Sequence, residues 1–314
     1  MLQYSTRRLI MLLPILFFVL LITFTLGFYG PGDPLTTFFG DDAFMADDPE
    51  LINRLRRLHG LDRPFWVQFG DYITGYFRGD LGNSIIEKRP VLDMIKAGAP
   101  ISAQLGIAAT IVLVFMGIPM GVLCAVKQNT WIDYWIISFS ISLRSIPVFV
   151  LAPLLLIILV LKLGVIKKTP IGWEGIFSQK VIIPVLLMAA GPMLGIVRMA
   201  RSGVLEVIGQ NYVRTARAKG MNERMVISKH IVKNAMTPVM TTLGLTMSGL
   251  ITGALFVELI FGIPGVAGLG IWAFKRRDYP VILATTAMGS FLIIIANLLV
   301  DLGYGLLDPR VRYE

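Results

Sequence analysis

Six apolar runs limit what this chain can become: Leu9–Phe28, Ile101–Val126, Trp135–Leu161, Val181–Val197, Thr237–Phe261 and Val281–Val300. Segments of this length and apolarity are stable in hydrocarbon, where an α-helix satisfies all of its own backbone groups. Each run is therefore expected to cross a membrane as a helix. Composition agrees: 55% of the 314 residues are hydrophobic and 16% are charged, where a soluble domain carries roughly 25% charged residues. The fold class expected is an all-α membrane protein with six transmembrane helices.

Arg7 and Arg8 precede the first run, and Asp33, Asp41 and Asp42 follow it. That asymmetry puts the amino terminus in the cytoplasm. A signal peptide would have a shorter apolar core and a small-x-small cleavage site. Residues 1–29 then form the N-terminus and first span, and 30–99 a long extracytoplasmic segment. Residues 100–305 form a five-helix core containing a cytoplasmic loop at 201–236, and 306–314 a cytoplasmic tail. Within 30–99, Asp48–Glu50 start one helical pattern through Leu51, Leu55 and Leu58 that stops at Gly60. Pro64 opens a second, with Phe65, Trp66, Phe69, Ile73 and Tyr76 on one side. Both read as amphipathic helices lying on the spans or on lipid.

Two charges fall inside the runs. Arg144 lies about a third of the way along the third run, where it either snorkels to the interface or serves as a buried functional charge. Glu258 lies near the outer end of the fifth, interfacial or functional by the same reasoning. Both are candidates for the pathway or its gate. Pro147 and Pro153 interrupt the third run and free carbonyls that need other partners. Gly244, Ser248, Gly249 and Gly253 give the fifth run a face of small residues suited to close helix packing.

Other chemistries find little support. Cys124 is the only cysteine, and His59 and His230 are far apart in sequence, so neither an intrachain disulfide nor a cysteine-based zinc site is expected. No G-x-x-x-x-G-K-[ST] occurs, so no P-loop nucleotide site is expected. Without a triad or a paired-carboxylate grouping, an enzyme is not expected. The surplus of 29 basic over 20 acidic residues suits anionic lipid and partner surfaces. No basic face is interleaved with aromatics, so nucleic acid is not expected.

The most informative polar stretch is Gly209–Pro238, GQNYVRTARAKGMNERMVISKHIVKNAMTP. It sets Arg214, Arg217, Lys219, Arg224, Lys229 and Lys233 against Glu223 alone. Asn211 can cap a helix and Gly220 can end it in the left-handed conformation, leaving a rod over Tyr212–Lys219 of about 12 Å. So short a helix needs a docking surface. Ala216 and Gly220 would leave a bare stripe on it for another chain to approach. Asn222 can cap a second helix through Val226, Ile227 and Ile231, ending at Pro238.

This stretch resembles the loop that permease subunits of binding-protein-dependent ABC importers press into their ATPases, in the dipeptide/oligopeptide/nickel branch. The general pattern is Glu-Ala-Ala, three residues, Gly, nine residues, then Ile-x-Leu-Pro. Aligned on Gly220 it falls on Arg214, Thr215 and Ala216, with His230 and Lys233 at the Ile and Pro positions and the proline at Pro238. The peptide branch departs from the pattern in this same way. LHGLDRPFWVQFGDYITGYFRGDLGNSI, SIPVF, FGIPGVAGLG, RDYP and NLLVDLGYGLLDPR carry the likeness over nearly the whole chain.

The resemblance implies a type I ABC importer permease fold and alternating access. The implied partners are a second homologous permease, two ABC ATPases that bind ATP and Mg, and an extracytoplasmic solute-binding protein. No cofactor is implied for this chain. Its coupling residues would be Tyr212, Arg214, Thr215, Ala216, Arg217, Ala218, Lys219, Gly220 and Met221. The expected place is the cytoplasmic membrane of a prokaryote, with both termini inside. Di- or oligopeptides lead as cargo, with nickel, glutathione and oligosaccharides as alternatives on the same scaffold. Two other classes stay open: a secondary transporter, which would need ionisable residues nearer mid-membrane than Arg144, Glu258 and Asp301, and a membrane assembly or scaffold protein, which would need no pathway.

Overall fold

The computed structural model describes residues 2–29, 53–54, 57, 62–165, 170–252 and 254–307. In chain order the helices are α1 (Leu2–Tyr29), α2 (Phe65–Arg78), α3 (Val91–Val112), α4 (Ile118–Val126), α5 (Trp131–Ser145), α6 (Val148–Leu155) and α7 (Ile182–Ile208). They continue as α8 (Asn211–Ala218), α9 (Glu223–Met225), α10 (Lys233–Thr252), α11 (Leu255–Phe261), α12 (Val266–Arg276) and α13 (Tyr279–Leu307). Among the described residues no strand forms beyond an isolated bridge between Asn83 and Pro90. The all-α expectation holds.

The spans are less regular than the six runs suggest. Two helical stretches, Val91–Val126 and Gln179–Ile208, are each long and apolar enough to cross a membrane. α5 with the Val148–Lys162 helix, and α11 with α12, qualify only as bent pairs, turning by 110° and 78°. Pro14–Tyr29 and Tyr279–Ile293 supply shorter apolar lengths.

The third run is thus no single rod. Pro147 lacks an N–H and disfavours helical geometry at Ile146, which is extended at ψ 119°. The chain turns there. The second run begins earlier than expected, at Val91 rather than 101, and carries Pro100 inside the helix. Pro119, which lacks an N–H, follows a π-helical segment, Leu113–Gly117, that takes up the lost helical bond. The loop FGIPGVAGLG runs into a helix, α12, whose Leu269, Trp272 and Ala273 pack against Val91, Ile95 and Val281.

Two compact units divide the chain, and the divisions fall within α1, α3 and α13 and between α11 and α12. In the unit comprising residues 7–102 and 264–292, α2 lies on α1 through an aromatic cluster. Phe24 stands 5.4 Å from both Phe65 and Phe69, and Tyr76 donates to the Ala284 carbonyl at 3.2 Å. The amphipathic helix expected after Pro64 is therefore present. The pattern over Leu51, Leu55 and Leu58 lies outside the described residues.

Asp278 ties the same unit together. Its fully buried carboxylate accepts from Ser84 Oγ at 2.5 Å, Ile85 N at 3.2 Å and Ile86 N at 3.3 Å.

In the other large block, residues 103–263, α7 is central and packs on α4, α5 and α10. Glycines set these crossings. A Cβ on Gly121 would lie 2.5 Å from Ala200 Cβ and 2.6 Å from the Val197 carbonyl oxygen, and one on Gly203 would lie 2.8 Å from the Ala235 oxygen. A Cβ added to Gly249, on the face of small residues expected to pack closely, would have no neighbour within 4 Å among the described residues outside its own helix.

Candidate functional site

The basic loop is built from α8 upward. α7 runs on to Ile208, eleven residues past the expected end of the fourth span, so the first part of the expected 201–236 loop is still helix. Gln210 then occupies the N-cap position of α8, where Asn211 was expected, and makes no side-chain cap bond. The other end follows the sequence closely. Gly220 is left-handed (φ 75°), Gly220 N donates to the Arg217 carbonyl at 2.9 Å, and Met221 N reaches the Ala216 carbonyl at 3.4 Å. This paired closure is a Schellman stop. Asn222 Oδ1 accepts from Arg224 N at 3.0 Å and starts the next helix. That helix does not end at Pro238. It passes through a π-helical stretch, Val226–Val232, into α10 and on to Thr252.

α8 is docked, and by its own chain. Val213 and Ala216 are buried in one cluster with Ala125, Val204, Val226, Ile231 and Ala235, with Met221 packed against it. Ala216 was expected on a bare stripe facing a partner; at 5% exposure it faces inward instead. Positions 213 and 216 are three apart and share one helical face. Once Val213 turns in, Ala216 follows.

Tyr212, Arg214, Thr215, Arg217, Ala218, Lys219 and Gly220 remain exposed. The Thr215 hydroxyl donates back to the Asn211 carbonyl at 3.0 Å, and Tyr212 Oη accepts from Asn234 Nδ2 at 3.2 Å. Arg217 grips Glu223 through two contacts of 2.7 and 3.1 Å. This guanidinium holds the Glu223 carboxyl below its ordinary range. Arg214 and Lys219 have no such carboxylate partner among the described residues. The free face is cationic.

Beneath this motif sits an ion pair the sequence did not single out. Arg201 on α7 donates to both oxygens of Asp133 on α5, at 2.9 Å from Nε and 2.8 Å from Nη2. Asp133 also accepts from Asn129 N at 3.1 Å, and its side chain is 3% exposed. Arg201 lies one turn before Val204, which supports α8. A lone acid two residues after a tryptophan at a helix start offered a weak signal; its partner, 68 residues away, offered none.

The two pathway candidates lie apart from the loop. Arg144 is exposed in the last turn of α5, immediately before the bend, and lines a cleft with residues of α6, α7 and α11. Glu258 lies on α11 with 1% exposure, fully buried rather than interfacial within this chain.

Comparison with known proteins agrees with this architecture. Residues 117–313 match the family described as binding-protein-dependent transport system inner membrane component, and residues 1–106 match its N-terminal model. The chain is 34% identical to the dipeptide transport system permease protein DppB of Alkalihalophilus pseudofirmus, 35% to that of Escherichia coli K12, and 34% to the oligopeptide transport system permease protein OppB of Haemophilus influenzae. Each alignment covers 100% of both chains. Among solved structures, the inward-facing MetNI methionine ABC transporter shares the fold at a TM-score of 0.57 and 17% identity, covering 68% of this chain and 96% of that one. The fold is thus that of type I ABC importer permeases. With its membrane helices and its docked basic loop, the chain belongs to the inner membrane component family of binding-protein-dependent transport systems.

Proposed function

We propose that this chain is the permease subunit of an ATP-driven importer of di- or oligopeptides, acting by alternating access. The observation that carries the reading is α8: its apolar face is anchored in the chain's own core while Arg214, Arg217 and Lys219 stay exposed. A rigid, outward-facing cationic helix suits contact with an ATPase, because force applied to it passes through Val213 and Ala216 into α4, α7 and α10. Tyr212 to Met221 form the contact segment. The identity to named dipeptide and oligopeptide permeases over their full length supports the peptide cargo.

In this reading the chain pairs with a second, homologous permease, two ATPases bind its cytoplasmic side and a solute-binding protein docks outside. The amino and carboxyl termini lie in the cytoplasm. ATP and Mg are held by the ATPases, and this chain carries no cofactor and performs no hydrolysis. It contributes differential binding between two conformations, and the ATPases bias the choice.

The test is uptake of a labelled dipeptide into proteoliposomes holding the assembled complex, with binding protein outside and ATP on the ATPase side. Accumulation requires both ATP and this chain. Accumulation driven by an ion gradient without ATPases would overturn the reading in favour of a secondary transporter.

A further inference from the structure

A cleft of about 270 Å³ opens at the 110° bend between α5 and α6. Its walls are apolar, from Ile146, Leu151, Leu187, Met188 and Val257, and Arg144 supplies the one charge on them. Among the described residues Arg144 has no ion-pair partner. It sits thirteen residues into α5, about 20 Å along the axis from Trp131. A cation at that depth is costly to hold and marks a ligand path by default. Its place in the last turn of α5 lets the negative end of that helix stabilise it, leaving its fork of donors available.

Two prolines also remove helical donors from residues on the cleft. Pro147 and Pro192 lack an N–H, so the Leu143 and Met188 carbonyls, both on cleft-lining residues, lose their i+4 helical donors. A guanidinium set among apolar walls matches a carboxylate carried beside an apolar side chain. The volume lies at the lower edge of small-molecule sites, about 300–1,000 Å³, which suits one end of a ligand rather than a long chain.

We propose that this cleft is a transit site for the cargo, in which Arg144 receives the carboxylate end of a peptide by a bidentate, charge-assisted contact. The proposal rests on the peptide-importer reading and adds to it the position and polarity of one contact. Arg144 would determine preference for a free carboxyl terminus during passage, separately from whatever the binding protein selects.

The reporter is Gly191, which lines the cleft and where an added Cβ meets nothing within 4 Å. In a Cys124→Ala background, Gly191→Cys is introduced into the assembled complex, and the rate of thiol labelling is followed with dipeptide, with the same dipeptide as its C-terminal amide, and with succinate. A dipeptide with a free carboxylate is expected to slow labelling about tenfold and its amide hardly at all, the difference a charge-assisted contact makes. Adding Arg144→Gln should abolish that difference, and Arg144→Lys should keep part of it. Labelling without ligand at an unchanged rate verifies that the variants keep the cleft.

Equal protection by acid and amide, or protection indifferent to Arg144→Gln, overturns the proposal. Protection by succinate but not by dipeptide leaves the carboxylate contact standing and removes the peptide cargo. Dipeptide uptake with no protection at the cleft removes the proposal and spares the importer.

Discussion

Breaking the Asp133–Arg201 pair should loosen the support of the coupling helix before anything else. Asp133→Ala leaves the Arg201 guanidinium without its carboxylate and Asn129 N without its acceptor. Removing one partner of a buried pair costs about 3–5 kcal/mol. The Arg201 side chain keeps 26% of its surface exposed, so it partly rehydrates, and we expect about 2–3 kcal/mol. That is a shift of roughly 30- to 150-fold in the folded ratio. Replacing both residues, Asp133→Ala with Arg201→Met, removes the stranded charge and should recover about half of the loss, because an apolar pair of similar shape is often neutral.

The assay is a double-mutant cycle in lipid–detergent micelles titrated with SDS and read by tryptophan fluorescence. A coupling energy above about 1 kcal/mol is expected for a contact of this kind. Additive single effects, or an Asp133→Ala protein as stable as the parent, would refute the reasoning. Trypsin cleavage after Arg214 and Arg217 in inverted vesicles should accelerate in Asp133→Ala, since α8 rests on the residues that follow Arg201.

Gly121→Val forces a side chain into 2.5 and 2.6 Å contacts with Ala200 and the Val197 backbone; overpacking costs about 1–3 kcal/mol, read as a lower SDS midpoint, whereas Gly195→Ala, with nothing within 4 Å, should be neutral or better. Gly220→Val adds left-handed strain of about 1–2 kcal/mol but touches nothing in this chain, so membrane levels and permease pairing should hold while transport and stimulated ATP hydrolysis fail; normal transport would sink the idea. Ala216→Trp should act differently, by bursting the cluster around Val213 and Ile231, and should raise trypsin sensitivity where Gly220→Val raises it little. Asp278→Ala orphans Ser84 Oγ and the Ile85 and Ile86 amides at about 1–3 kcal/mol for each buried donor, and proteolysis between residues 84 and 89 should quicken.

What the sequence made legible was local. Gly220 and Asn222 behave as expected because left-handed φ and Asx capping depend on a residue and its next few neighbours. The helix at Phe65–Arg78 follows from a period that its own residues carry. Burial direction was not legible: Ala216 fits a bare outer stripe or an inner contact equally well until Val226 and Ile231 are in place. The bend at Ser145–Pro147 was readable as an interruption, but its 110° angle depends on what α6 packs against. The Asp133–Arg201 and Asp278–Ser84 contacts join residues 68 and 194 positions apart, and no periodicity links them. The close glycine-mediated crossings of α7 at Gly121 and Gly203 were hidden for the same reason, whereas Gly249, which looked like a packing residue, would take a Cβ without a close contact among the described residues outside its own helix.

On the proposed function, the cationic face of α8 meets an ATPase in the cytoplasm. A single cysteine in place of Arg214, in a Cys124→Ala background, tests it in whole cells and in the assembled complex. No reaction with an impermeant thiol reagent applied outside is expected, and a cross-link to the ATPase subunit should form with a yield that changes when ATP is trapped. Labelling from outside, or a full-length complex in which this position never cross-links to the ATPase, would contradict it.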